Sequence, residues 1–262
     1  MFEIVIALTI ASALIYGLRA GMISQDGSIV PPRVDADSLR IGILAALLAL
    51  ALLDFPYGLS LVAAVILHEA GHVLAYRLLG HGDARFRLLP MISKDPISTR
   101  KPATLQAEVF VHLMGAAFSI APMVVALVAA GLLQDHAPAV ARFLRILGSV
   151  IAAYNFINLL PLWPLDGGRC VNAIAHSLRA NARHRAMVGL SAIASALAIG
   201  FQSPQLLVIC MIGSGVFLFP EHLEIKQTAM PRRALALAAA TYLAITATHL
   251  AGGAWLIEWF FF

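Results

Sequence analysis

Two histidines and a glutamate interrupt an otherwise aliphatic run, VILHEAGHVL, at residues 65–74. His68 and His72 are four apart, which on an α-helix puts them about 40° apart around the axis and about 6 Å apart along it. Two imidazoles so placed can converge on one metal ion. Glu69 follows the first of them and projects beside that ion, where it can take a proton from a water. This is the H-E-x-x-H pattern of zinc hydrolases. A single histidine inside a helix is usually a satisfied polar residue, and five-residue matches arise by chance. Three titratable groups within about one turn of a membrane-depth helix are harder to explain that way, because such groups are costly there and mark function. Ala70 and Gly71, between the ligands, leave room for a close neighbour.

A catalytic zinc commonly takes three protein ligands. The extension HExxHxxGxxH is absent, since position 75 is Ala and position 78 is Leu, and no Glu occurs between Glu69 and Glu108. The candidates are Glu108, His112 and Asp166. Asp166 stands out by its setting, NFINLLPLWPLDGGR (155–169). There Pro161 and Pro164 break an apolar helix, and Asp-Gly-Gly then opens the backbone. Irregular backbone at membrane depth is tolerated only where protein or a water-filled cavity surrounds it. Asp166 could instead cap a helix that begins near Arg169, but a cap needs neither Asn158 nor two prolines upstream.

These residues must be held by membrane helices. The 262 residues are 60% hydrophobic and 12% charged, with mean hydropathy +0.86, whereas a soluble domain carries about 25% charged residues. Apolar stretches at 2–18, 41–53, 57–79, 107–133, 143–163, 187–201, 206–219 and 234–256 predict up to eight helices, given that about 20 apolar residues cross a bilayer. The short pair 187–201 and 206–219 also fits one re-entrant hairpin around Gln202-Ser203-Pro204. Sixteen of the eighteen Lys+Arg fall in alternate loops; only Arg142 and Arg145 break the pattern. The positive-inside tendency makes those loops cytoplasmic and puts both termini outside. Helices 57–79 and 143–163 then run in the same direction, with His72 and Asp166 towards their cytoplasmic ends. Glu108 and His112, near the cytoplasmic start of 107–133, remain compatible with that depth.

The formal charge of +4 is not a nucleic-acid footprint, because its residues are scattered over separate loops. The first segment lacks a basic n-region and reads as a retained span rather than a cleaved signal. Cys170 and Cys210 form neither a disulfide framework nor a CxxC site.

With these residues in view, the chain resembles the site-2 protease family of intramembrane zinc metalloproteases. The resemblance rests on HEAGH at 68–72 and on NLLPLWPLDGG at 158–168, which is similar to the family's NxxPxPxLDG. Gly115-Ala-Ala-Phe-Ser119 on the intervening helix resembles its GxxxN/S/G motif. The resemblance covers roughly residues 57–170. It implies one Zn²⁺ per chain held by His68, His72 and Asp166, with Glu69 as general base. Asn158 would lie near the metal and hold the substrate backbone or a developing oxyanion. Gly115 and Ser119 would mediate helix packing near the site.

The fold expected is therefore an all-α polytopic membrane protein of about six to eight transmembrane helices, with a short membrane-associated β segment after the HExxH helix. Residues 1–56 and 171–262 would be accessory helices around a metalloprotease core at 57–170. The function implied is zinc-dependent hydrolysis of a peptide bond in or near a transmembrane segment of a substrate protein, in a bacterial inner membrane, with the site toward the cytoplasm. The partners would be transmembrane substrates and the lipid bilayer, with no nucleic acid.

The β segment is expected in DARFRLLPMIS, where Arg85 and Arg87 alternate with Ala84, Phe86 and Leu88. It could offer an edge to an extended substrate or lie as a basic loop on headgroups. His112 is expected to make a polar contact between helices, while His81, His136, His176 and His184 are expected in solvated loops. Trp255, Trp259 and Phe260–Phe262 read as an interfacial anchor. A transporter or channel is the competing reading, but it would spread polar residues over several helices, and here they gather on the third, fourth and fifth. A catalytically silent relative that binds transmembrane partners would not need Glu69.

Overall fold

A computed structural model describes residues 2–22, 33–34, 36–86, 97–213, 225 and 227–261. Among these residues the fold is all-α, with nine helices. They are α1 (Phe2–Met22), α2 (Ala36–Leu52), α3 (Phe55–Leu78), α4 (Leu105–Leu133), α5 (Pro138–Asn158), α6 (Asp166–Arg179), α7 (Arg183–Gly200), α8 (Pro204–Gly213) and α9 (Arg232–Phe261). Four of them, α3, α4, α5 and α9, are long and apolar enough to cross a membrane. Shorter apolar stretches lie at Ala7–Tyr16 and Leu39–Leu52.

The apolar pattern predicts these positions well, with two physical exceptions. The fifth segment is shifted towards the N-terminus, to 138–158 rather than 143–163. Pro138 opens α5 in its first turn, where a missing N–H costs nothing. Pro161 prevents the helix from continuing, because its ring would clash with the preceding turn. The other exception is α6. Its sequence DGGRCVNAIAHSLR is amphipathic, with Gly167, Cys170 and Ala173 buried, so a search for apolar runs passes over it. His176 and His184 accordingly lie on α6 and α7 rather than in loops.

Small residues set the helix spacing, as expected where close backbone approach drives association in lipid. A Cβ on Gly71 of α3 would run into the Met114 carbonyl of α4, and one on Gly148 of α5 would meet Leu127. Gly252 and Gly253 bring α9 against Met123 of α4 and Ala152 and Ala153 of α5. The apolar core follows these crossings. One cluster joins Leu105, Val109, Leu113 and Ala116 of α4 to Leu159, Cys170 and Ala173, with Ile245 of α9. Another joins Ala64, Met123, Ile151 and Leu256. α7 and α8 pack through Ala198 and Cys210 on Leu162 of the α5–α6 connection. The C-terminal helix thus packs directly on the 57–170 core. Its expected aromatic anchor is divided: Trp259 is exposed and Phe261 buried, while Trp255 donates its indole N–H to Ser149 Oγ at 2.8 Å.

The β segment is present but minimal. Arg85–Phe86 (β2) pairs in parallel with Arg33–Val34 (β1), and the Arg85 N–H donates to the Ile97 carbonyl at 2.9 Å. At these two residues the expected edge already has backbone partners. Residues 87–96, which complete the expected strand and its prolines, lie outside the described residues.

A polar clip closes the base of this loop. Asp83 accepts the Thr99 N–H at 2.7 Å and the Thr99 hydroxyl at 2.6 Å. Ser98 Oγ lies 3.1 Å from Asp83 Oδ1 and 2.8 Å from His81 Nδ1. The bonds from Thr99 hold the Asp83 carboxyl well below the usual carboxylate range. His81 is buried, contrary to the solvated position expected, because it closes this clip with Ser98.

Candidate metal centre

α3 supplies the first half of the site. Its buried residues include Ala64, His68, Glu69, Gly71, His72 and Ala75, so the face that carries the histidines is enclosed by α4 and α5. The chain then has to bring a carboxylate to that face from nearly a hundred residues away. It does so through the break after α5. The Leu159 N–H closes α5 on the Asn155 carbonyl at 3.0 Å, and residues 159–165 run on without helix until Asp166 opens α6. The peptide bond between Trp163 and Pro164 is cis. Arg169 secures the connection: its Nε donates to the Pro164 carbonyl at 3.1 Å, and its guanidinium carbon lies 5.0 Å from the Trp163 ring centroid.

The two glycines after Asp166 are required by this path. A Cβ on Gly167 would run into the Leu159 carbonyl, and one on Gly168 into the Leu162 carbonyl. With hydrogen alone at both positions, the first turn of α6 lies directly on the connection that precedes it. Asp166 is not a side-chain cap. The capping position is Leu165, and Asp166 is the first residue of the helix proper. Its carboxylate turns inward.

There it meets both histidines. Asp166 Oδ2 lies 3.0 Å from His68 Nε2 and 3.1 Å from His72 Nε2, and the two Nε2 atoms are 3.0 Å apart. The other nitrogen of each ring is already committed. His68 Nδ1 donates to Asn155 Oδ1 at 2.8 Å, and His72 Nδ1 donates to the Val111 carbonyl at 2.8 Å. The Asn155 amide is oriented by its own Nδ2, which donates to the Ile151 carbonyl at 2.8 Å.

With both protons on Nδ1, the two neutral imidazoles present lone pairs to each other and to a carboxylate oxygen. Three acceptors facing one another at this range repel unless a cation or proton lies between them. Ligand atoms about 2.0–2.1 Å from one tetrahedral zinc stand roughly 3.3 Å apart, close to the separations seen. His68, His72 and Asp166 form a buried group that could hold a metal ion, the only such group among the described residues.

The surrounding contacts orient these ligands. His112 Nδ1 donates to Asp166 Oδ1 at 2.9 Å, leaving Oδ2 for the histidines. The expected interhelical contact of His112 is thus a specific one: it fixes which carboxylate oxygen faces the ligand cluster. Glu108, the other alternative ligand, lies in the first turn of α4 and is not part of the cluster. Glu69 is buried beside the histidines, near enough for its carboxylate to act electrostatically on His72 and Tyr154.

Gly115 is closer to the ligands than a packing role requires. A Cβ there would lie 2.7 Å from both His68 Cε1 and His72 Nε2. Ser119 is fully buried and donates its hydroxyl to the Gly115 carbonyl at 3.0 Å.

Asn158 is the asparagine expected near the metal. Its amide Nδ2 donates to the Tyr154 carbonyl at 3.0 Å, and the asparagine that touches a ligand is Asn155. The two are three residues apart, about 60° around a helix. The sequence signal that could have found Asn155 is the second asparagine itself, since each amide in an apolar helix needs a partner. Replacing Asn155 with Leu removes the acceptor that sets the His68 tautomer. Loss of such outer contacts typically costs 10–100-fold in metal affinity, and chelator competition on the purified variant should show a loss of about that size.

No family model matches the chain, and comparison with curated proteins and with solved structures likewise finds no match.

Proposed function

We propose that the protein is an intramembrane zinc-dependent endopeptidase similar to the site-2 proteases, which cuts a peptide bond in or near a transmembrane segment of another protein. The observation that carries this reading is the convergence of His68 Nε2, His72 Nε2 and Asp166 Oδ2 within 3.1 Å of one another, with Glu69 buried on the same turn of α3. The group joins the two sequence motifs of the resemblance in space. Imidazole and carboxylate donors suit zinc.

Zinc bound there would polarise a peptide carbonyl and make a water acidic near neutral pH. The rest of the chemistry falls to the chain. Glu69 accepts the water's proton and passes it to the leaving amine, as a general base and then acid. His112 and Asn155 hold the ligands in the protonation states that leave their lone pairs available. α3, α4 and α5 exclude bulk water from the cluster. The alternation of basic loops supports a site toward the cytoplasm, by the positive-inside tendency, with α1, α2, α7 and α8 completing six to eight membrane-embedded helices.

The test is zinc content together with cleavage of a transmembrane substrate by wild type and by Glu69→Gln, both purified in detergent. About one zinc per chain is expected in both proteins, with cleavage by Glu69→Gln at least about 100-fold slower. Unchanged cleavage by Glu69→Gln, or no zinc in wild type, overturns the reading. A transporter would bind the ion without cleaving anything and would release it along a gradient.

A further inference from the structure

The C-terminal helix α9 lies outside both motifs, yet two of its polar side chains reach the backbone that carries the ligand cluster. His249 is fully buried, and its Nε2 donates to the Ala116 carbonyl at 3.0 Å. Ala116 follows Gly115, the residue whose Cα faces His68 and His72. Tyr242 donates its hydroxyl to the Leu159 carbonyl at 2.8 Å. That carbonyl is the atom against which Gly167 packs, one residue from Asp166.

Tyr242 and His249 are seven apart and share one face of α9. One bond therefore ends on the residue after Gly115, which faces the two histidines, and the other on the carbonyl against which Gly167, beside the aspartate, packs. His249 is also an expensive choice for mere packing. Its Nδ1 has no hydrogen-bond partner, and a leucine of similar size would bury no unpaired nitrogen.

We propose that Tyr242 and His249 are positioning residues, through which α9 ties α4, packed on the α3 histidines at Gly115, to the connection on which α6 and its Asp166 rest, and so keeps the three ligands at the separation they need. The proposal rests on the metal reading above. On this view, α9 is a third support of the site, beside the helices that bear the motifs.

The test uses the full-length protein in detergent, with zinc affinity from chelator competition and the d–d spectrum of the cobalt-substituted form. The variants are His249→Leu, His249→Gln, Tyr242→Phe and Trp255→Phe. Wild type is measured first; absence of metal binding there is a failure of the metal reading, not of this one. Given binding, His249→Leu and Tyr242→Phe should each weaken zinc by about 10–100-fold, the range for outer contacts of metal ligands, and should alter the cobalt bands. His249→Gln keeps an N–H at the same reach and should recover to within about threefold, well inside that range. Trp255→Phe removes a comparable α9 bond, to Ser149, away from the ligands and should leave affinity and spectrum unchanged. Wild-type affinity and bands in Tyr242→Phe and His249→Leu overturn the proposal, as does an equal loss in Trp255→Phe. If His249→Leu does not fold, Tyr242→Phe, which loses a single oxygen, decides.

Discussion

On the proposed reading, Asp166→Ala is expected to lower zinc affinity by at least about a thousandfold and to abolish proteolysis, while the helices stay assembled. The magnitude follows from sharing. Structural zinc sites are worth about 10–16 kcal/mol, so losing one of three ligands forfeits roughly 4 kcal/mol, or about a thousandfold. Assembly should survive because the path to Asp166 does not depend on its side chain. Gly167 and Gly168 on the connection, Arg169 on Pro164 and Trp163, and the Leu162 cluster all remain. His112 would lose its acceptor, so a modest loss of stability is also expected. Zinc analysis and a thermal melt on one preparation check both parts. Normal zinc retention would remove Asp166 from the site. Asp166→Asn is the milder comparison: the shape stays, but the negative charge that balances the ion goes.

Gly115→Ala is expected to do comparable damage without touching a ligand. Its new Cβ would lie 2.7 Å from atoms of both imidazoles, and these rings cannot move away freely. His68 is held by Asn155 and His72 by the Val111 carbonyl. Either a ring turns out of the cluster or α4 backs away from α3. Both spread the ligand atoms, and a displacement of about 1 Å at a reacting centre can cost on the order of 100-fold. Gly71→Ala separates geometry from stability. Its Cβ would meet backbone, the Met114 carbonyl, with no side chain able to yield. Overpacking there should cost about 1–3 kcal/mol or more in stability, seen as a lower melting temperature, with metal loss following from unfolding. Gly115→Ala should instead lose metal while melting nearly as wild type does without metal. If Gly115→Ala binds zinc and cleaves normally, the close approach of α4 has no bearing on the site.

The room expected at Gly71 is filled by the backbone of Met114 and Gly115, but Gly115 was not assigned its role by sequence alone. GxxxS at 115–119 reads as helix packing, and Ser119 is buried with its hydroxyl on the Gly115 carbonyl of the same helix. That Gly115 faces imidazoles rather than another backbone depends on how far α4 is rotated against α3, and residue spacing does not fix that rotation. Asn155 and Asn158 show the same limit. Both stand on the helix that precedes the LDGG stretch, and the choice between them turns on about 60° of α5. His249 is a stronger case: one histidine in a long apolar helix carries no spacing signal at all. Its meaning appears only when α9 is seen against Ala116.

The sequence by itself determined what is local. Hydrophobic runs set the positions of the long helices, because crossing a bilayer needs a minimum apolar length and the chain has few charges to spare. The spacing of His68 and His72 put two imidazoles on one helical face, since 3.6 residues complete a turn. Pro161, Pro164 and the two glycines marked the break that frees Asp166. The tertiary structure decided what is distant. It chose Asp166 over Glu108 and His112 as the group that meets both histidines, assigned His112 to the opposite carboxylate oxygen, and began α6 at Asp166 itself rather than near Arg169. It also brought the C-terminal helix against the site. Those choices depend on how helices far apart in sequence rotate and pack through a handful of glycines, and such contacts leave no mark on the order of residues within any one of them.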